Sequence, residues 1–264
     1  MRLVLKIIFL VVFFVFGVSI SIFPKSVIKY HFGNHKKNEI SYTQKTDSII
    51  IVAFGNSITA TRKTINKVFA QRIDDLLAKK GIEAKIINSG IPGSHTGHQE
   101  DNNLFKIRHA LDRFKSDVLD YNPDIVIIGF GTNDAHIDND HSYGPSRIPL
   151  TKYRDNLEFM IQELLAKNIN IILIAPNILG NKYGDIQNKR LIKYVDVVCD
   201  LAHKYKTGLV NNYQLFIQYQ LKTGISYETL MLDGVHPNDK GHKLIAKQLM
   251  NEIMNILRRN GYFF

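Results

Sequence analysis

Ser48-Ile49-Ile50-Ile51-Val52-Ala53-Phe54 is an uncharged run of β-branched and apolar residues that closes on Gly55. A strand covered on both faces reads as a continuous apolar run, so this stretch predicts a parallel strand inside a helix-flanked sheet. Working outward, residues 63–80 carry Ile65, Val68, Phe69, Ile73, Leu76 and Leu77 at helical spacing, with Gly81 as a stop. Residues 84–88 predict a second strand and 103–121 a second helix. A third strand over 124–130, a helix over 150–167 and a fourth strand over 169–175 follow. Then come a helix over 188–206, a weak strand over 208–211 and a closing helix over 240–258 with Leu244, Ile245, Leu249 and Ile253 inward. This alternation is the signature of an α/β fold, a parallel five-stranded sheet with helices on both faces. In such folds a site forms beyond the C-terminal ends of the strands.

The 264 residues suffice for one such domain after a separate first segment. The net charge of +10 is concentrated there: Arg2, Lys6, Lys25, Lys29, Lys36, Lys37 and Lys45 face a single acid, Glu39, within residues 1–46. Beyond them no compact basic run is interleaved with aromatics, which argues against nucleic-acid binding. Ile7 to Phe23 is 17 residues without a charge, behind a short basic lead. That length suits a signal anchor or a signal-peptide core. Residues 1–24 are therefore expected to be a signal anchor or signal peptide, 25–47 a basic linker and 48–264 the folded domain. The domain is expected to be extracytoplasmic, either held at the membrane through the N-terminal segment or secreted or periplasmic if that segment is cleaved. Cys199 is the one cysteine, so no disulfide framework and no thiolate metal site can form.

Four polar motifs fall at the strand ends or just before the closing helix. Gly55-Asn56-Ser57 places a serine directly after the first strand, close to a helix start whose dipole favours negative charge. Gly90-Ile91-Pro92-Gly93 makes a tight loop whose backbone can approach a ligand closely. Gly131-Thr132-Asn133-Asp134 offers an amide that can donate to an oxyanion without adding net charge. Asp233-Gly234-Val235-His236 sets a carboxylate three residues before an imidazole, where it can fix the ring's tautomer and stabilise its protonated form. Taken singly each motif is an ordinary turn or cap, and their coincidence at strand ends carries the weight. His95, His98, His136 and His141 are expected to be surface or substrate-lining residues, because no Cys, Asp or Glu stands at a metal-ligand spacing beside them. The loop 135–149 is long and polar, which suits a specificity element and a sugar better than a fatty chain.

In this order the four blocks resemble the SGNH hydrolases, also called GDSL-type esterases and lipases, over residues 50–256. The resemblance implies a flavodoxin-like three-layer sandwich and acyl transfer through an acyl-serine, without metal or cofactor. Carried onto this chain, Ser57 matches the nucleophile, His236 the base and Asp233 the residue that orients it. The oxyanion donors would be the Ser57 and Gly93 backbone N–H groups and the Asn133 side chain. Gly93 is preferred over Gly90 because the family's glycine lies five positions after an asparagine that matches Asn88. One departure is Asn56, where the family usually has Asp. The expected function is hydrolysis of small acyl esters, such as O-acetyl groups on glycans. Alternatives are a lysophospholipase or thioesterase, a sugar O-acyltransferase, and a catalytically silent glycan-binding module.

Overall fold

The computed structural model describes residues 48–102, 104–138 and 144–262. The segments read as anchor and linker lie outside the described residues, as do His141 and part of the loop 135–149.

Five parallel strands form one sheet: β1 (Ile49–Gly55), β2 (Ala84–Gly90), β3 (Ile125–Gly129), β4 (Asn170–Ala175) and β5 (Gly208–Asn211). Their spatial order is β2-β1-β3-β4-β5. Right-handed crossovers from this order send the β1–β2 helix to one face and the β2–β3, β3–β4 and β4–β5 helices to the other. The helices are α1 (Phe69–Ala78), α2 (Ala110–Asp117), α3 (Leu150–Leu165), α4 (Gly184–Tyr205), α5 (Asn212–Thr223) and α6 (Asp239–Arg259). Accordingly α1 packs on α6, while α3 packs on α4. Phe114 of α2 meets Phe159 of α3 edge-on at 6.4 Å, on the second face.

The strand cores obey the apolar-run reading. Ile51, Val52, Ala53 and Phe54 are fully buried, as are Val126 and Ile172. The sheet thus has helices on both faces, the flavodoxin-like three-layer arrangement. Its order reverses between β1 and β3, whose registers end at Gly55 opposite Gly129. That switch point opens a crevice above the strand ends.

Three sequence expectations need correction. The helix expected over 63–80 begins only at Phe69. Its first turn is replaced by a loop pinned to α6, because Asp239 accepts the Asn66 and Lys67 N–H groups and His242 Nδ1 accepts that of Phe69. Ile65 and Val68 are buried without being helical, so their spacing imitated a helical stripe. The helix expected over 103–121 is likewise short, starting at Ala110. There the His95 and Gly97 carbonyls take the Ala110 and Leu111 N–H groups, which stops the helix from extending backwards. Residues 212–232, given no element from sequence, fold as α5 and a 3₁₀ turn at Tyr227–Leu230. In α5 polar and apolar residues mix and only Asn212, Tyr213 and Phe216 are buried, so the stripe is too thin to read.

Candidate active site

Ser57 stands two residues past β1, in a turn made by Asn56. The Asn56 side-chain oxygen accepts the Ile58 N–H at 2.9 Å, and its carbonyl accepts the Thr59 and Ala60 N–H groups. Asn56 is itself buried. An amide oxygen performs this turn-forming role as a carboxylate would, so the turn forms here without the family's Asp.

Across the crevice, Ser57 Oγ lies 2.9 Å from His236 Nε2. The other ring nitrogen, Nδ1, lies 2.7 Å from Asp233 Oδ2. An ionised carboxylate only accepts, so Nδ1 carries the proton and Nε2 is left free to accept from the serine. Asp233 Oδ1 also accepts the Val235 and His236 N–H groups. Burial opposes ionisation of Asp233, but those backbone bonds and the His236 ring outweigh it and hold its pKa down to about 2. For His236, burial lowers the pKa below the ordinary value, Asp233 pulls it back up, and the charge of Arg62 lowers it again. The His236 ring is thus neutral at neutral pH.

The loop that carries Asp233 and His236 is braced from behind. Asn177, buried just past β4, donates through Nδ2 to the Val235 carbonyl at 3.0 Å. Asn238 caps α6 by accepting the Lys240 and Gly241 N–H groups and donates to the Thr229 and Met231 carbonyls. Gly234 sits at φ +80°, a conformation that favours glycine.

Gly93 and Asn133 line the same cavity of about 450 Å³ as Ser57 and His236. Gly93 has φ +80°, a conformation that favours glycine. Among the described residues neither the Ser57 nor the Gly93 N–H has an acceptor in the protein. The Asn133 amide is oriented by two neighbours: Nδ2 donates to the Ser94 carbonyl at 2.9 Å, and Oδ1 accepts from Arg147 at 3.4 Å. Arg147 can only donate, which fixes the amide's sense and leaves a second Nδ2 hydrogen available.

Several residues that hold this wall were not singled out from the sequence. Asp134, fully buried, accepts Thr96 N–H at 2.8 Å, Thr96 Oγ at 2.6 Å and Gly131 N–H at 3.0 Å. It therefore clips the loop after β2 to the loop after β3. Burial pushes its pKa up to about 6 against those hydrogen bonds. Arg113, buried, reaches the Gly55 and Ser89 carbonyls and lies over the Phe54 ring at 4.3 Å. Nothing in a helical stripe marks an inward arginine, whereas the Asn-Asp pair at 133–134 was a usable signal. His95 is neither surface nor lining: it is buried and stacks on His109 with 3.5 Å between centroids. His136 does line the cavity, and His98 is exposed and pairs with Asp112.

Residues 51–249 match the family described as GDSL-like Lipase/Acylhydrolase. An uncharacterized lipoprotein of Bacillus subtilis is 32% identical over 190 residues, covering 64% of this chain and 72% of that protein. An acetylxylan esterase of Geobacillus stearothermophilus is 26% identical over 170 residues, covering 64% of this chain and 72% of the relative. A solved lipase/acylhydrolase from Enterococcus faecalis superposes with a TM-score of 0.63 at 29% identity, over 78% of this chain and 96% of that one. The chain belongs to the GDSL-like lipase/acylhydrolase family, the SGNH hydrolases, and is a carboxylic ester hydrolase of that type.

Proposed function

We propose that Ser57, His236 and Asp233 are the catalytic triad of an esterase that removes small acyl groups, acetyl foremost, from glycans. The observation that carries this reading is the continuous chain Ser57 Oγ, His236 Nε2, His236 Nδ1, Asp233 Oδ2, with links of 2.9 Å and 2.7 Å, whose serine and imidazole line one cavity. Ser57 Oγ attacks the ester carbonyl carbon while its proton passes to Nε2. The carbonyl oxygen becomes an oxyanion that takes hydrogen bonds from the Ser57 and Gly93 N–H groups and Asn133 Nδ2. Collapse breaks the bond to the alcohol oxygen, which leaves with the proton held on Nε2. Water then gives a proton to Nε2, attacks the acyl-serine, and releases the acid as Ser57 recovers its hydrogen.

Two features support a small acyl group on a sugar. The cavity of about 450 Å³ must hold both sides of the ester, and Arg62, Gln187 and Arg147 line it beside Phe105 and Leu179. The acetylxylan esterase among the relatives acts on such a substrate class. Hydrolysis of p-nitrophenyl acetate and p-nitrophenyl decanoate by the full-length protein tests the reading beside Ser57→Ala. Faster cleavage of acetate that vanishes in the variant is expected. Preference for decanoate would move the substrate to lipids, and activity that survives in Ser57→Ala would remove the serine from the mechanism.

We also propose that the enzyme works outside the cytoplasm, at the membrane if residues 7–23 are retained and free if they are cleaved. The uncharged length of that segment behind a basic lead supports this. Protease treatment of intact cells checks it: digestion of the domain is expected, and full protection would place it inside.

A further inference from the structure

Arg62 lines the cavity together with Ser57 and His236. Its Nη1 is buried and has no hydrogen-bond partner. Arg72, Arg108, Arg113, Arg147 and Arg154 are matched to carboxylates, and Arg190 donates to Ser146. A guanidinium keeps its charge at every working pH, and a buried N–H left unpaired costs about 1–3 kcal/mol or more. A site that keeps such a group beside its reacting atoms holds a donor ready for an incoming acceptor.

The charged side chains that line the cavity are two arginines, of which Arg147 is already paired with Asp138. Among the described residues no Asp or Glu lines the cavity, whereas Arg62 and Arg147 both do. Lys182 stands at its rim, its ammonium 5.1 Å from the centre of the lining Tyr183 ring. Asp233, the carboxylate in contact with His236, already accepts three hydrogen bonds. Burial is the main cause that lowers the basicity of His236, and the charges of Arg62 and Lys182 lower it further, an effect that an anion bound beside them would offset.

We propose that Arg62 is a substrate-binding residue that selects esters whose alcohol part carries an anionic group, a carboxylate or a phosphate, near the acylated hydroxyl. The inference rests on the esterase reading and narrows its substrate to an acidic sugar. The charge belongs on the alcohol side because a small acyl group such as acetyl has none. A guanidinium fork suits either anion bidentately.

The test compares sugars that differ only in charge. Full-length protein is given a monoacetylated methyl glucoside, the matching glucuronide, and the matching glucoside 6-phosphate. A charged hydrogen bond contributes enough for ~tenfold to hundredfold in kcat/KM. The wild type is expected to prefer at least one charged ester by that factor, and added salt to shrink the preference. In Arg62→Gln the charged-to-neutral ratio should fall toward one, with Arg62→Lys keeping part of it. The better of the two anions identifies which group the site takes. A guanidinium that served only the oxyanion would slow charged and neutral esters alike in Arg62→Gln. A ratio unchanged by that substitution, or a wild-type ratio of one for both anions, overturns the proposal. Calorimetric binding of the same intact esters to Ser57→Ala reads anion preference without turnover. If the wild type cleaves none of them, the esterase reading fails, and the binding ratio still decides the role of Arg62 in either direction.

Discussion

The loop carrying Asp233 and His236 and the two loops carrying Gly93 and Asn133 face one cavity, yet one lies at the surface and the others are rooted in the interior. The Asp233 side chain is 42% exposed and that of His236 18% exposed. Behind Gly93 and Asn133 stand Ser94, His95, Thr96 and Asp134, each essentially inaccessible to solvent. The contrast suits the role proposed for each half. An acid–base pair must take up and give away protons, and a rim position keeps water in exchange with it. Hydrogen-bond donors that stabilise developing charge act only if they are fixed before the charge appears, so they are bolted into the core.

The largest effect that can break this comparison lies on the exposed half. Ser57→Ala and His236→Ala are expected to lower kcat by ~10³–10⁶, as group removals in such triads do. Asp233→Ala should cost ~10³–10⁴ by freeing the tautomer. Asp233→Ala also strips the acceptor from the Val235 and His236 N–H groups, but in a solvent-reached loop, so thermal unfolding should show a loss of only ~1–2 kcal/mol. A loss of ~3 kcal/mol or more for that variant would show that the surface loop bears as much structure as the interior.

On the interior half the expected pattern reverses. Asn133→Ala removes a proposed oxyanion donor and should cost ~10²–10³ in kcat with KM little changed, read from steady-state kinetics on a small ester. Asp134→Ala touches no substrate, yet it strands the Thr96 and Gly131 N–H groups in a dry site. At about 1–3 kcal/mol for each orphaned donor it should destabilise by ~3 kcal/mol or more in denaturant titration. Activity should fall with it, since Asn133 and the Gly93 loop lose their clip. An Asp134→Ala protein of native stability would refute the assignment of that carboxylate as the tie between the loops.

How much of this was legible in the sequence depends on whether a residue acts locally or through a distant contact. Apolar runs such as Ile49–Gly55 announce buried strands, and the four polar motifs hold Ser57, Gly93, Asn133 and His236, which meet at the cavity. Asp233 and His236 are neighbours in sequence, so their geometry is local. Asp134, Arg113 and Asn177 act on backbone groups 38, 58 and 58 residues away, and no local pattern encodes that. The same physics explains the misread helix starts. Ile65 and Val68 carry a helical spacing, but the backbone between them is claimed by Asp239 of α6, a long-range bond that overrides the local period.

The smallest effect sharpens the comparison through pH. His95 Nδ1 accepts the Gly97 N–H at 3.1 Å, and Nε2 faces the Asn102 carbonyl at 3.4 Å. Both ring positions are therefore engaged with the ring neutral, and a second proton on Nδ1 would point at a donor. Burial first, and the neighbouring His109 second, depress its pKa to about 4. A folded-state pKa below the unfolded value means a stability contribution that is whole above about 6.5 and is lost as pH falls toward about 4. Asp134, with its pKa raised to about 6, runs the other way: its contribution is whole below the unfolded value and fades as pH rises through about 6. On the exposed half, the contribution of Asp233 is lost only as pH falls from 3.8 toward about 2, below the range in which His95 titrates. Replacing His95 by Asn therefore removes proton uptake from the interior half alone. Urea unfolding at about pH 6.5 and about pH 4.5 should then show a shallower loss of stability than in wild type, by up to ~1.4 kcal/mol per pH unit for one proton. An unchanged slope would mean that the acid sensitivity of the fold arises elsewhere, and that the buried half is no more tied to pH than the exposed one.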